Sequence, residues 1–538
     1  MFLPMHIPMS TSSSYSEAVS PSTTTPPVLR LPTELINRIF LFIAAHYRVT
    51  DEYLHAPPCL FLTHICRRWR TVALDCQELW STRLPRSSPR WTDLCLSRAP
   101  TIPLDAAIEY EFMDTDAAYH QNAWTVLSQW SRIRSLRVHA LYQATFFGVE
   151  ASAVTMLNSL LEALSGRNTE LEQLELSYQT QSTPPSWFGF ELPQVCAGEQ
   201  PPKLRDLQLT NLALPSATPS LLFTASLCSL KLYETKAWTD VNAMIQCLQA
   251  TPMLQTLEYI FSEYYNDRRW AFDFQPSRQY HERCVHLPHL EHLKLGCFWI
   301  HTITIFKYIA APSRCNVDIF QAQNWASVKG QLNDDTVTTH AHAAREAFTQ
   351  HFAAAIAQEE TFDFVRPSRC AISAKSISGH SNSETRLLPS TFDLRLSDAG
   401  AWETGLSVVT AMLAQLPVFA GTQHITFSRR LYTSNLRAFD VFTNVRKMTF
   451  YDRNELWEVA SILRSKGDTF LPVLEDVVLA EGHFVESDAN RMYDFAKALR
   501  DAYVKSACKP RLCVPGKHIS REILDELRSL VGPQRLVN

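Results

Sequence analysis

The sequence predicts an α/β chain: a short all-helical module near the N-terminus, then an irregular solenoid of strand-plus-helix repeats. Three observations carry this. A six-residue pattern, apolar-x-x-apolar-x-apolar, returns about ten times from residue 133 to residue 479. Helical stretches fall between the copies, as strand–helix alternation requires. Ahead of the first copy lies a block, 29–84, whose apolar residues recur with helical period.

Bulk composition allows this. At 538 residues the chain is long for one compact domain, but a solenoid grows by stacking and escapes that limit. Apolar residues make up 46% and charged residues 19%, enough for a continuous core and against wholesale disorder. A net charge of −4 gives no electrostatic footprint for nucleic acid or an anionic membrane.

Residues 1–28, with Ser12-Ser13-Ser14 and Thr23-Thr24-Thr25-Pro26-Pro27, lack hydrophobic period and read as a disordered tail. A helix starts at Leu31: Pro32 suits the first turn, and Glu34 sits where the helix dipole favours a carboxylate. Leu35, Ile39 and Ile43 follow at i, i+4 spacing, with Ile36 and Phe40 beside them. After a turn-rich break with Asp51, Pro57 and Pro58, a second helix is expected over Leu60–Leu74, and Leu79-Trp80 closes the block.

The repeated pattern occurs at Ile133/Leu136/Val138, Leu171/Leu174/Leu176, Leu204/Leu207/Leu209, Leu227/Leu230/Leu232, Leu254/Leu257/Tyr259 and Leu290/Leu293/Leu295. Weaker copies follow at Leu394/Leu396, Ile425/Phe427, Val445/Met448/Phe450 and Leu474/Val477/Leu479. In L-x-L alternate side chains of a short strand face one way, and the preceding leucine joins the same interior. One unit cannot bury its own leucines, so neighbours must stack. Val154–Leu164 and Val241–Leu248 are expected as intervening helices, and prolines precede strands in "TPMLQTLEYI" and "LPHLEHLKLG". This is a leucine-rich-repeat pattern with uneven spacing. The solenoid is assigned to 85–320. It lapses over 321–390, an insertion or degenerate repeat with an amphipathic helix at 341–358 and a Ser-rich flexible loop at 373–384. It resumes over 391–538, where Met492–Leu499 and Ile523–Leu530 are expected as capping helices.

"LPTELINRIF" and, further on, "HICRRWRTVALDCQELW" resemble the F-box motif: Leu-Pro-x-Glu-Leu, an Ile-Phe helix, an Ile-Cys-Arg-x-Trp helix and a Leu-Trp, in order, ahead of leucine-rich repeats. The resemblance covers about a tenth of the chain. The 24 residues between Phe40 and Ile65 exceed the family's usual spacing. What the resemblance implies is a binding function: a helical module docking on a Skp-family adaptor, joined through it to a cullin–RING ubiquitin ligase, with repeats holding a protein substrate. By motif position, Leu31, Pro32, Leu35, Ile36, Ile39 and Phe40 would form the first adaptor-facing segment. Ile65, Cys66, Trp69 and Trp80 would complete the module or touch the adaptor. The alternative is a leucine-rich-repeat scaffold acting outside any ligase. Partner choice would lie in exposed strand positions such as Gln173, Glu175, Gln208 and Lys231.

Other constellations read as structural. His281, Cys284, His286, His289 and His292 lack tetrahedral ligand spacing, and the leucines alternating through them are repeat core, so no metal or other cofactor is expected. His340, His342 and His351, without partner cysteines or carboxylates, read as surface. Arg67, Arg68 and Arg70 read as a solvated helix face, with no nucleic-acid partner. No G-x-S-x-G, H-E-x-x-H, G-x-x-x-x-G-K-[ST] or G-x-G-x-x-G occurs, and 14 glycines are few for phosphate-cradling loops; no enzyme activity is expected. The 13 cysteines are scattered with no C-x-x-C, and no N-x-[ST] occurs, which fits a reducing compartment. With no signal-type N-terminus and no apolar run near the ~20 residues a bilayer needs, the expected location is intracellular, cytoplasmic or nuclear, with no membrane partner.

Overall fold

The computed structural model describes residues 30–46, 58–86, 88–111, 117–142, 162–180, 192, 196–214, 221–261, 273, 275–321, 334–368, 371–376, 387–395, 403–427, 440–481, 483–514 and 519–537. The expected tail, the loop after His46 and most of the helix expected from Val154 lie outside these. The chain divides into two compact units, one running to Thr82 and resuming over Arg86–Ile102, the other comprising Arg83–Pro85 and everything from Pro103.

The first unit is all helix: α1 (Thr33–His46), α2 (Pro58–Thr63), α3 (Arg67–Asp75), α4 (Gln77–Trp80) and α5 (Pro89–Arg98). The single helix expected over Leu60–Leu74 is broken at His64–Cys66. Cys66 takes an extended conformation, and its thiol caps the next helix by accepting from Trp69 N–H at 3.4 Å. Two of the three arginines expected on a solvated face make side-chain hydrogen bonds to backbone carbonyls, one to a residue ahead of α1 and one across this break. The Arg68 guanidinium donates to the Leu31 carbonyl, and Arg70 Nε donates to the Thr63 carbonyl at 2.8 Å. The unit runs on past residue 84 through α5, where Thr92 Oγ1 accepts from Arg86 N–H at 3.0 Å.

The second unit is built on a 16-stranded sheet. Its strands are β1 (Leu104–Glu111), β2 (Ile133–Tyr142), β3 (Gln173–Thr180), β4 (Asp206–Thr210), β5 (Ser229–Tyr233) and β6 (Thr256–Ile260). These continue with β8 (His292–Gly296), β10 (Asn316–Phe320), β11 (Phe364–Ser368), β12 (Ala371–Lys375), β13 (Thr391–Arg395), β14 (His424–Phe427), β15 (Lys447–Phe450), β16 (Asp476–Leu479), β17 (Arg511–Cys513) and β18 (Leu536–Val537). A separate parallel pair is β7 (Val285–His286) with β9 (Ile309–Ala310). The large sheet follows chain order, except that β13, β12 and β11 stand in reverse between β10 and β14. All its neighbours are parallel apart from the two pairs that β12 makes, which are antiparallel.

Nine of the ten copies of the apolar pattern fall on strands of this sheet in matched register; in the weak copy Leu394/Leu396 the register instead puts Phe392 and Leu394 beside Val317 and Ile319, and Leu396 lies outside the described residues. Leu136, Leu174, Leu207, Leu230, Leu257, Leu293 and Val317 form one continuous buried row. Val138, Leu176, Leu209, Leu232, Tyr259, Leu295 and Ile319 form a second. The leading residues Ile133, Leu171, Leu204, Leu227, Leu254 and Leu290 are buried with them. Strands β1, β10 and β17 escape the pattern because Pro103, Arg314 and Lys509 occupy the leading position where the others have an apolar residue.

Helices Val241–Gln249, Trp299–Tyr308, Asp334–His351, Glu403–Ala414, Arg453–Lys466, Ala489–Ala502 and Arg521–Val531 fall between the strands. Asp240 caps the first of these, its carboxylate accepting from Ala243 N–H at 2.9 Å. At 373–384 the expected flexible loop begins in fact as strand, since β12 runs to Lys375 and pairs on both edges; residues 377–386 lie outside the described set. The sheet also continues beyond the expected C-terminal capping helices, because β17 and β18 add two further parallel strands. Among the described residues, no helix is long and apolar enough to cross a membrane.

Candidate functional site

On α1, six of the large apolar residues divide into two stripes. Ile36 and Phe40 are fully buried, and Ile43, one turn further, is half-buried. Phe40 meets Trp69 of α3 edge to face, with centroids 5.0 Å apart. Trp80, also buried, donates Nε1–H to the Ala73 carbonyl at 2.9 Å. Ile36, Phe40 and Trp80, expected at an adaptor interface, are therefore core of the unit. Cys66 is half-buried and engaged as a helix cap, and Trp69 is half-buried against Phe40.

The second stripe faces water. Leu35 (45% exposed), Ile39 (37%) and Phe42 (63%) are spaced i, i+4, i+7 and lie along one side of α1. Phe61 on α2 (47%) and Ile65 in the following turn (57%) are exposed as well. Leu31 is half-buried and Pro32 exposed. Five large apolar side chains left exposed in one small unit make this face a candidate site. Phe42 and Phe61 were not among the expected residues. Their signal in the sequence is the i+7 position after Leu35, and the alternation of Phe61 with buried Leu62.

The second candidate surface is the outward face of the large sheet. One row across the strands reads Arg137, Glu175, Gln208, Lys231, Glu258, Lys294, Asp318 and Asp393, so opposite charges neighbour one another along most of the register, with neutral Gln208 interrupting it and two acids at its end. Glu175 accepts from Arg137 at 2.6 Å, from His139 at 3.2 Å and from Gln208 at 3.0 Å. The His139 hydrogen bond, then Arg137, holds its carboxyl below the usual range. Glu258 sits between Lys231 at 3.5 Å and Lys294 at 3.8 Å and accepts the Tyr233 hydroxyl at 2.7 Å. Arg395 bridges Asp318 at 2.8 Å and Asp393 at 3.1 Å, while Ser373 donates to Asp393 at 2.7 Å. Burial nevertheless raises Asp393.

Two hollows lie over this face. One of about 440 Å³ spans β1 to β5, with Arg137, Gln173, Glu175, Gln208 and Lys231 in its lining. The other, of about 960 Å³, spans β5 to β14 and includes Lys231, Glu258, Lys294, Asp318, Arg366 and Lys375. Both are open to solvent, with charged and polar side chains in their lining, and most of the ionised groups described are paired with one another. Such a face suits recognition of a surface.

Among the described residues no group of three His, Cys, Asp or Glu is placed to hold a metal ion. His281, His286, His289 and His292 are exposed and Cys284 is buried. The eleven described cysteines are all free. His351, expected on the surface, is instead buried: its ring packs against Phe306 and Phe352, and neither nitrogen finds a hydrogen-bond partner. The amphipathic period of its helix carries it to the core side, and burial lowers its pKa to about 3, so it stays neutral.

A comparison of the chain with protein-family models gave no match, and a comparison with curated proteins gave none either.

Proposed function

We propose that this protein is the substrate-recognition subunit of a cullin–RING ubiquitin ligase. Its first helical unit, resembling an F-box, docks on a Skp-family adaptor, and its second unit, a leucine-rich-repeat solenoid, holds a protein substrate. On this reading the chain performs no chemistry itself. The observation that carries it is the exposed stripe Leu35, Ile39 and Phe42, which falls within the F-box-like motif and faces away from the unit's own core. The solenoid reading is supported by sixteen strands stacked almost entirely in chain order with matched leucine rows.

The test is co-elution of the purified chain with a Skp-family adaptor on gel filtration, for the unaltered chain and for Leu35→Glu/Ile39→Glu. Both positions are exposed, so the double variant keeps its fold, checked by circular dichroism. Burying one such side chain at an interface contributes roughly 1.5–3 kcal/mol, so placing two charges there should weaken binding at least a hundredfold. Undiminished co-elution of the double variant rules out this docking face, and no co-elution of the unaltered chain rules out the ligase assignment.

A further inference from the structure

The larger trough points to a class of substrate. We propose that it binds an extended acidic segment of the partner protein, rich in Asp and Glu and about nine residues long, lying across strands β5 to β11. This rests on the substrate-receptor reading above and deepens it.

Three observations support this. First, the trough carries an excess of positive charge although the chain as a whole is at −4. Lys231, Lys294, Arg366 and Lys375 line it against Glu258, Asp318 and Asp393, and Arg395 on β13 pairs with the last two of these acids. Second, each of the three carboxylates is already engaged. Glu258 is held by two lysines and a tyrosine hydroxyl, and Asp318 and Asp393 share Arg395. Lys375, exposed at the end of β12, has no carboxylate partner among the described residues. The trough therefore keeps a net positive charge, with every acid in its lining held by a cation and Lys375 outside any ion pair among the described residues, which is complementary to an anionic segment and repels a basic one.

Third, the geometry fits a chain. The trough crosses β5, β6, β8, β10, β13, β12 and β11 in spatial order. At roughly 4.8 Å between neighbouring strands it is about 29 Å long, the span of about nine extended residues at roughly 3.3 Å each. The backbone groups of those strands are paired within the sheet, so recognition falls to side chains. The first outward row offers neutral donors and acceptors beside the cations: Ser229, Thr256, His292 and Asn316.

The test uses the full chain and two fluorescein-labelled nonapeptides, one alternating Glu with Ser and one alternating Lys with Ser, followed by fluorescence anisotropy at low salt and at about 0.3 M salt. The acidic peptide should bind, more weakly at high salt, and the basic one should not. Lys294→Gln/Lys375→Gln should weaken acidic-peptide binding about fivefold or more. Lys505→Gln/Lys509→Gln, the same charge loss on an exposed segment outside the trough, should leave it within about twofold. Should the first double variant melt early by circular dichroism, Lys375→Gln alone, at an exposed position without an ion pair, gives the same reading. Absence of acidic-peptide binding, equal binding of both peptides, or equal losses in the two double variants overturns the proposal. Adaptor co-elution of the same preparations separates the two readings: peptide failure with the adaptor retained sinks only this inference, and adaptor failure with peptide binding retained sinks only the ligase assignment.

Discussion

Glu455, in the first turn of the helix Arg453–Lys466, is fully buried, and neither carboxyl oxygen accepts a hydrogen bond. Burial, with Asp452 and Glu458 nearby, raises its pKa from 4.5 to about 8. The folded state therefore holds a proton that the unfolded chain has lost above pH 4.5. Between those two values the folded state binds more protons than the unfolded one, so stability falls as pH rises and levels off above about 8. At roughly 1.4 kcal/mol per pH unit the loss is under about 1 kcal/mol at pH 5, about 3 at pH 7 and about 5 above pH 8. Glu455→Gln keeps the shape and cannot ionise; its buried amide carries a pH-independent cost of about 1–3 kcal/mol. Urea unfolding followed by tryptophan fluorescence at pH 5, 7 and 8.5 measures both proteins. The expected result is that the variant gains on the unaltered chain by about 4 kcal/mol between pH 5 and pH 8.5, whatever their order at pH 5. Parallel pH profiles for the two would refute the reasoning, because they would mean that Glu455 ionises as readily folded as unfolded.

Two further perturbations probe the sheet unit. His351 titrates in the opposite sense: with its folded pKa lowered to about 3 from 6.5, it costs stability progressively as pH falls below 6.5. His351→Phe, filling the same aromatic pocket, should raise the melting temperature at pH 4.5 while changing it little at pH 7.5; an equal shift at both values would show that its ionisation is not what matters. At Gly296 an added Cβ would lie 2.4 Å from the Phe320 ring, which rests between Lys294 at 5.7 Å and Arg395 at 5.2 Å. Gly296→Ala should cost about 1–3 kcal/mol in urea unfolding, and Gly296→Ala/Phe320→Leu should recover part of it; a neutral single variant would contradict the close contact.

The strands were legible in the sequence because their signal is local. Six residues, apolar at the first, fourth and sixth positions, specify both an alternating strand and the leucine that seals it. Where one of those three positions changes, as at Arg314 before β10, the strand persists because its neighbours β8 and β13 pair with it on both sides. That tertiary support is invisible in a short window. The hairpin β11–β12 is hidden for the same reason: its residues gain their place from β13 and β14, which come later in the chain.

The candidate sites divide along the same line. Apolar residues crowd α1 so densely that helical period alone marks a wide face and does not say which half turns inward. Ile36 and Phe40 face the core, and Phe40 does so because Trp69, 29 positions later, packs on it; Leu35 and Ile39 are left outside by default. A motif match therefore named residues of both stripes and could not divide the buried ones from the exposed ones. On the sheet the strand pattern names Gln173, Glu175, Gln208 and Lys231 as outward residues, but neither the rest of the row nor its pairing is legible in it. Whether Lys231, Lys294 or Lys375 is available to a partner depends on which carboxylate lies one strand away. Glu258 is 27 residues from Lys231 and 36 from Lys294 in the chain, yet its place in the register lets it engage both, and among the described residues no such carboxylate pairs with Lys375. The register, which the leucines fix from the opposite face, is thus what decides which outward charges meet.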